Sequence, residues 1–505
     1  MNANLFSRLF DDLDDADRLA IETLEGRRIS YSDLIAFSGR LANVLVARGV
    51  SPGDRVAVQV EKSVPNLALY LATVRAGAIY LPLNPGYTLN ELDFFIIDAE
   101  PSLVVCDPSE AEGIQAIASK VNAKVETLDA KGKGSLTDAA TATKPDFITV
   151  VCGGDDLAAI LYTSGTTGRS KGAMLTHDNL TSNALSLADA WRFTEKDVLI
   201  HALPIYHTHG LFVASNVTLF ARASMIFLPK FDPDAVIRMM TKATVLMGVP
   251  TFYTRLLQYP AVTKDSTRHM RLFISGSAPL LADTHREWSA RTGHAVLERY
   301  GMTETGMNTS NPYDGERVPG AVGPALRGVS VRVTDRETGK ELPRESVGMI
   351  EVKGPNVFKG YWRMPEKTRT EFRGDGFFIT GDIGKIDQRD YVHILGRGTD
   401  LVITGGLNVY PKEIESEIDA LAGVIESAVI GVPHPDFGEG VTAVVVRSKD
   451  GGLAEGQVLE ALNGRLAKFK MPKRVIFVDE LPRNAMGKVQ KNILRDAYAG
   501  LYKQS

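Results

Sequence analysis

Short β-rich runs and helix-period runs alternate along this chain, and that alternation restricts it to a small set of folds. Apolar residues recur at helical spacing over residues 31–48, 65–76 and 91–98, and runs suited to strands fall between them at 55–60, 80–82 and 103–106. Strands joined through helices pair in parallel, so the pattern predicts an α/β fold of flanked parallel sheets with ligands at the carboxyl ends of strands. Residues 329–353 change character, becoming strand-rich with Gly and Pro turns, which predicts a β subdomain. At 505 residues the chain exceeds the size at which a single core keeps growing. A boundary is expected at Gly396-Arg-Gly-Thr-Asp400, after the β run 391–395. It separates a large N-terminal domain, 1–396, from a small mobile α+β C-terminal domain, 397–505, in which residues 414–421, 427–432 and 442–447 read as further βα units.

Charge and cysteine usage exclude several classes. The formal net charge is −4, and no Lys/Arg run is interleaved with aromatics, so nucleic acid is not an expected partner. The charge is unevenly spread: residues 1–25 carry seven acids against two bases, residues 461–505 ten bases against three acids. The basic tail reads either as a solvated face or as an electrostatic rim for an anionic substrate. Cys106 and Cys152 supply neither a disulfide framework nor a zinc site, which fits a reducing compartment. The acidic start lacks the features of a signal peptide. The apolar stretch 199–228 is broken by Pro204, ring residues and Arg222 and reads as buried core, so no membrane insertion is expected and the protein is expected to be cytoplasmic.

A loop rich in small and hydroxyl residues leaves the apolar run 156–162: Thr163, Ser164, Gly165, Thr166, Thr167, Gly168 and, after Arg169 and Ser170, Lys171. Its glycines let the backbone approach an anion, its hydroxyls donate, and Lys171 adds charge, so it reads as a polyphosphate cradle. The common P-loop needs four residues between its glycines; here two separate Gly165 from Gly168, which argues against an ordinary kinase or GTPase. A flexible surface turn is the alternative reading of such a cluster.

Four further motifs follow in order: Tyr300-Gly-Met-Thr-Glu-Thr305, Thr380-Gly-Asp382, Gly396-Arg-Gly-Thr-Asp400 with Gly405-Gly406, and Pro482-Arg-Asn-Ala-Met-Gly-Lys488. Together the five resemble the adenylate-forming superfamily of acyl-CoA synthetases, luciferases and adenylation domains over essentially the whole chain. The resemblance implies ATP, Mg²⁺ and coenzyme A as cofactor and co-substrates, and Lys488, Glu304 and His207 as catalytic groups. For ATP or AMP it implies Thr163 to Gly168, Lys171, Ser277, Ala278, Glu298, Tyr300, Gly301, Met302, Thr303, Asp382 and Arg397. Tyr300 would offer a flat face to adenine, Asp382 would accept from both ribose hydroxyls, and Thr167 and Glu304 would hold the metal. Gly405 and Gly406 would line the path of the pantetheine arm. The small domain would rotate about Thr399, where the family usually has Asp or Lys. The resemblance also implies Lys488 as a target of a lysine acetyltransferase and deacetylase, because acylation would remove its charge.

Within that superfamily the motifs 204–210, 249–255, 275–279 and 298–304 resemble those of malonyl-CoA synthetases, which implies malonate, ATP and CoA as substrates, with methylmalonate as a further candidate acid. A second carboxylate on the acid would explain arginines where a fatty-acid or aryl-acid enzyme wants apolar groups. Arg255 is the first choice for a bidentate clamp and Arg299 the second. His207, Thr208, Ser277 and Met307 would shape the rest of a short pocket. Those synthetases tend to have Asn after Thr-Glu-Thr, where this chain has Gly306. The alternatives are the same ligation on another short-chain acid, or an adenylation enzyme that charges a carrier protein.

Overall fold

The computed structural model describes residues 2–163, 170–405, 407–448, 452–484 and 487–502. Local signals start the helices where the sequence pattern predicts them. Ser30 and Asp33 form a capping box on the helix Tyr31–Ala47, Ser63 caps Val64–Arg75 with Pro65 in its first turn, and Thr88 and Glu91 box Leu89–Ala99. The strands Arg55–Gln59, Ile79–Pro82 and Leu103–Cys106 lie between them and pair in parallel.

Two large sheets carry most of the chain. One orders its seven strands 360–361, 171–176, 157–163, 79–82, 55–59, 103–106 and 124–127; the other orders its eight 306–310, 297–302, 272–275, 245–248, 198–201, 224–227, 19–23 and 28–30. Both are parallel in their centres and antiparallel at edges, the strand Lys171–Thr176 returning against Leu157–Thr163 and Gly306–Ser310 against Leu297–Met302. One apolar cluster joins them, with Tyr80 and Val58 from the first sheet and Leu199, Ile200 and Met225 from the second. The run 199–228 is buried core as expected: it contributes the strands Val198–His201 and Ser224–Phe227 around a π-helical segment His209–Ser215 and the helix Asn216–Phe220. Among the described residues no helix is long and apolar enough to cross a membrane.

The expected β subdomain is a four-stranded antiparallel sheet, Ser330–Thr334, Gly348–Lys353, Phe378–Ile386 and Val392–Arg397. Its last strand reaches two residues beyond the expected run and takes in Arg397, paired with Asp382. The C-terminal sheet departs from βα units. Val424–His434 and Gly438–Arg447 form an antiparallel hairpin, because only residues 435–437 separate them and a parallel pair needs a crossover. The strand Arg474–Val478, reached through the helix Glu455–Leu462, supplies the one parallel pairing there among the described residues. Cys106 and Cys152 are both buried and free.

Candidate active site

The carboxyl ends of the parallel strands converge on one cleft. Thr163 ends its strand where the phosphate loop begins; Ser164, Gly165, Thr166, Thr167 and Gly168 lie outside the described residues. Lys171 starts the returning strand directly opposite Thr163, is 8% exposed, and holds its Nζ 4.2 Å from the centroid of the Tyr361 ring. Tyr361 donates its hydroxyl to Glu304 Oε1 at 3.0 Å, and Thr163 Oγ1 lies 3.5 Å from the same oxygen. Glu304 is buried at the tip of the hairpin between Leu297–Met302 and Gly306–Ser310. Burial lowers the Lys171 pKa, and the carboxylates Glu371 and Glu304 oppose that shift. One buried carboxylate with hydroxyls beside it suits a hard cation that takes its other ligands from phosphate oxygens and water. Among the described residues no group of three or more acidic, His or Cys side chains could hold a metal by itself.

The strand Leu297–Met302 sorts its side chains to opposite faces, as its period of two requires. Glu298, Tyr300 and Met302 share one face. Tyr300 packs among Val333, Ile350 and Val352 and donates its hydroxyl to Asp382, which also pairs with Arg397 through Nε and Oδ1 at 3.0 Å. Arg397 further donates to the Thr380 carbonyl at 3.0 Å; the Asp382 charge raises its pKa and burial opposes. Glu298 accepts from Gly320 N at 3.0 Å, and burial pushes its carboxyl up to about 8. Gly301, Met302 and Thr303 are half-buried, as are Ser277 and Ala278 in the loop after the strand Leu272–Ser275. Ser277 is held at φ +70°, a left-handed conformation costly for a side-chain-bearing residue.

Arg299 faces the other way, into a polar pocket. It is 3% exposed, and its Nε and Nη2 have no hydrogen-bond partner among the described residues. A Cβ on Gly276 would lie 2.4 Å from the guanidinium carbon, so the glycine is what admits the side chain. Burial lowers the Arg299 pKa to about 9, with Tyr253 opposing. Ser275 Oγ, Thr208 Oγ1 and His209 Nε2 are likewise buried without partners among the described residues. His209 Nδ1 lies 3.3 Å from Ser277 Oγ, and Met307 is buried. Burial, then the Arg299 charge, lowers His207 to about 4 and holds His209 well below its usual range, so both rings are neutral at pH 7. Arg255, the first choice from sequence, is exposed, because Phe252, Tyr253 and Leu256 take the buried face of the helix Pro250–Leu257. His209 was missed in the sequence reading, though it stands two residues after His207 in the same motif.

The small domain closes over this cleft. A Cβ on Gly487 would lie 3.4 Å from Thr251 Oγ1 of the large domain, and Lys488 donates its backbone N–H to Asn484 Oδ1 at 2.9 Å. Lys488 keeps some solvent exposure, yet surrounding protein and then the Arg397 charge lower its pKa, with Asp382 and Asp400 opposing. The tip of the small domain and the ribose-binding candidates therefore share one field. Gly405, at φ +57°, donates to the Phe437 carbonyl at 2.8 Å; Gly406 lies outside the described residues.

Comparison with known proteins agrees with this arrangement. The pattern described as AMP-binding enzyme matches residues 14–362, and that described as AMP-binding enzyme C-terminal domain matches residues 413–488. A malonate–CoA ligase of Arabidopsis thaliana is 34% identical over 95% of this chain and 86% of its own. The mitochondrial malonate–CoA ligase of Mus musculus is 35% identical over 95% and 89%. The solved structure of ATP-bound MatB from Rhodopseudomonas palustris is 76% identical over 100% of both chains with a TM-score of 0.99; apo MatB, at the same identity and coverage, gives 0.87. The chain belongs to the family of AMP-binding enzymes, with both the large and the C-terminal module of that family present.

Proposed function

We propose that the chain is an ATP-dependent malonate–CoA ligase that makes malonyl-CoA, AMP and pyrophosphate through a malonyl-adenylate. The observation that carries the choice of acid is Arg299, a buried guanidinium with two donors unpaired among the described residues, set against Gly276 and close enough for its charge to act on His207 and His209. A distal carboxylate supplies acceptors to those donors. A short monoacid leaves them unpaired, which disfavours the alternative substrates.

In the first half-reaction one malonate carboxylate oxygen attacks the α-phosphorus of ATP, the bond to the bridging oxygen breaks, and pyrophosphate leaves. The loop from Thr163 to Lys171 cradles the phosphates, Asp382 and Arg397 hold the ribose, and Tyr300 lies against the base. Lys488 directs its charge to the α-phosphate and the reacting carboxylate. His207, neutral at pH 7, orients that carboxylate by hydrogen bonding. Glu304, with the Thr163 and Tyr361 hydroxyls beside it, would hold a Mg²⁺ that neutralises phosphate charge; Thr167, the other expected ligand, lies outside the described residues. In the second half-reaction the CoA sulfur attacks the acyl carbon, the acyl–phosphate bond breaks, AMP leaves, and the thiol proton passes to solvent. We take residues 1–396 and 397–505 as the two domains, with rotation about Thr399 carrying Lys488 out and Gly405 and Gly406 in. Acetylation of Lys488 would switch off the first half-reaction, and a cytoplasmic location fits the two free thiols.

The test is a panel of carboxylic acids assayed by CoA-dependent AMP formation. Malonate is expected to exceed acetate and propionate by as much as roughly 10⁴-fold, the penalty for leaving a buried polar group unpaired. Methylmalonate should be discriminated against by only about 10–200-fold, the range for one methyl group. Equal turnover of propionate and malonate defeats the diacid assignment.

A further inference from the structure

A further buried basic side chain lies against His201. Lys62 is 7% exposed and forms no ion pair among the described residues. Its Nζ donates to the His201 carbonyl at 2.7 Å and to His201 Nδ1 at 2.8 Å, and sits 4.2 Å from the centroid of the Phe227 ring. Because Nδ1 accepts, the His201 proton is on Nε2, which donates to the Gly210 carbonyl at 2.9 Å and lies 3.1 Å from Ser215 Oγ. Ser215 Oγ donates to the same carbonyl at 3.0 Å. Gly210 and Ser215 belong to the π-helical segment His209–Ser215, which opens with the backbone N–H of Leu211 bonded to the His207 carbonyl. The ring of His201 therefore fastens the turn that presents His207, Thr208 and His209.

The backbone under Lys62 is equally fixed. Asn66 donates to the Val60 and Glu61 carbonyls, and Ser63 caps the helix that follows. Lys62 follows a central strand of the seven-stranded sheet and His201 ends a central strand of the eight-stranded one, so the contact joins the two sheets beside the acid pocket. Burying an amine without a carboxylate is unfavourable for stability alone, and burial holds the Lys62 pKa well below its usual value. An apolar side chain of similar length would fill the same space at lower cost. What an apolar side chain could not do is fix both the position and the tautomer of His201.

We propose that Lys62 is a positioning residue of the acid pocket, acting through His201 to hold the π-helical turn that carries His207, Thr208 and His209. The proposal rests on the cleft being an acyl-activating site but not on the acid being malonate. Its test therefore uses whichever acid the wild-type enzyme activates best in the panel. Lys62→Met keeps the stem and removes the donors. It should raise KM for the acid about tenfold or more, the size of one lost hydrogen bond, and leave KM for ATP within about twofold. His201→Gln should do the same, and the double variant should be no worse than the more impaired single one, because the two act in series. Lys62→Arg, which restores donors, should recover part of the loss. An unchanged acid KM in folded Lys62→Met, equal rises in both KM values, or additive effects in the double variant would each overturn the proposal. Should Lys62→Met fail to fold, His201→Gln decides: no selective rise in acid KM in that variant rejects the proposal.

Discussion

Residues 298–300 place two chemistries side by side in sequence and on opposite faces in space. Tyr300 joins Asp382 and Arg397, the proposed ribose-binding pair, whereas the charge of Arg299 acts on His207 and His209. The strand period alone carries this separation, and applied to residues 297–302 it would have ranked Arg299 above Arg255. Helical spacing likewise explains Arg255: with Phe252, Tyr253 and Leu256 buried, its position points outward. Arg299→Ala should lower kcat/KM for malonate by roughly 10³-fold or more while changing that for propionate far less, since only the diacid loses a partner. Arg255→Ala should stay within about twofold for both acids, as an exposed arginine at a helix end contributes little. Thermal melts of both variants separate loss of binding from loss of fold. A malonate-specific defect in Arg255→Ala with Arg299→Ala unaffected would return the clamp to the first sequence choice.

At the scale of elements, the sequence was most legible where local signals and periodicity agreed. Helical spacing located the helices beginning at Tyr31, Val64 and Leu89 to within two residues, and the strands between them followed. It was least legible where tertiary contacts decide. The π-helical segment His209–Ser215 depends on His201 and Ser215 closing on the Gly210 carbonyl, which no local pattern announces. The C-terminal hairpin was misread because its apolar runs suit parallel and antiparallel strands alike. The departure at Gly306 acquires a physical meaning. Gly306 sits at φ +55°, and a Cβ there would lie 2.6 Å from Asn183 Oδ1. Asn183 pairs with both the N–H and the carbonyl of Met307, at 3.0 and 2.8 Å, and so fixes the residue proposed to shape the acid pocket. Gly306→Ala should therefore cost about 1–3 kcal/mol in left-handed strain and release Met307 from Asn183. The melting temperature should fall, and the malonate-to-methylmalonate ratio should shift with KM for ATP unchanged. Unaltered melting and selectivity would mean that neither the strain nor the Asn183 contact matters.

The whole molecule is closer in arrangement to the ATP-bound than to the apo form of its relative MatB. Its TM-score of 0.99 with ATP-bound MatB, against 0.87 with the apo form at equal identity, fits a small domain closed with Lys488 toward the cleft. Gly487 lies against Thr251, and Lys488 feels the charges of Arg397 and Asp382, while Gly405 is held in a separate turn by the Phe437 carbonyl. One lysine and one glycine pair should therefore serve different halves of the cycle. Lys488→Ala should nearly abolish malonate-dependent pyrophosphate formation, because a charge aimed at the α-phosphate is lost where the transition state needs it most. Supplied with preformed malonyl-adenylate and CoA, the same variant should still release malonyl-CoA, since a rotated small domain presents Gly405 and Gly406 to the site. Gly406→Leu should show the reverse, forming pyrophosphate normally and failing at thioester formation because its side chain fills the pantetheine path. Two separate assays, pyrophosphate release and malonyl-CoA formation from the isolated adenylate, read the two halves independently. Equal damage to both halves in a folded Lys488→Ala enzyme would mean that Lys488 acts throughout the cycle and that the domains do not alternate.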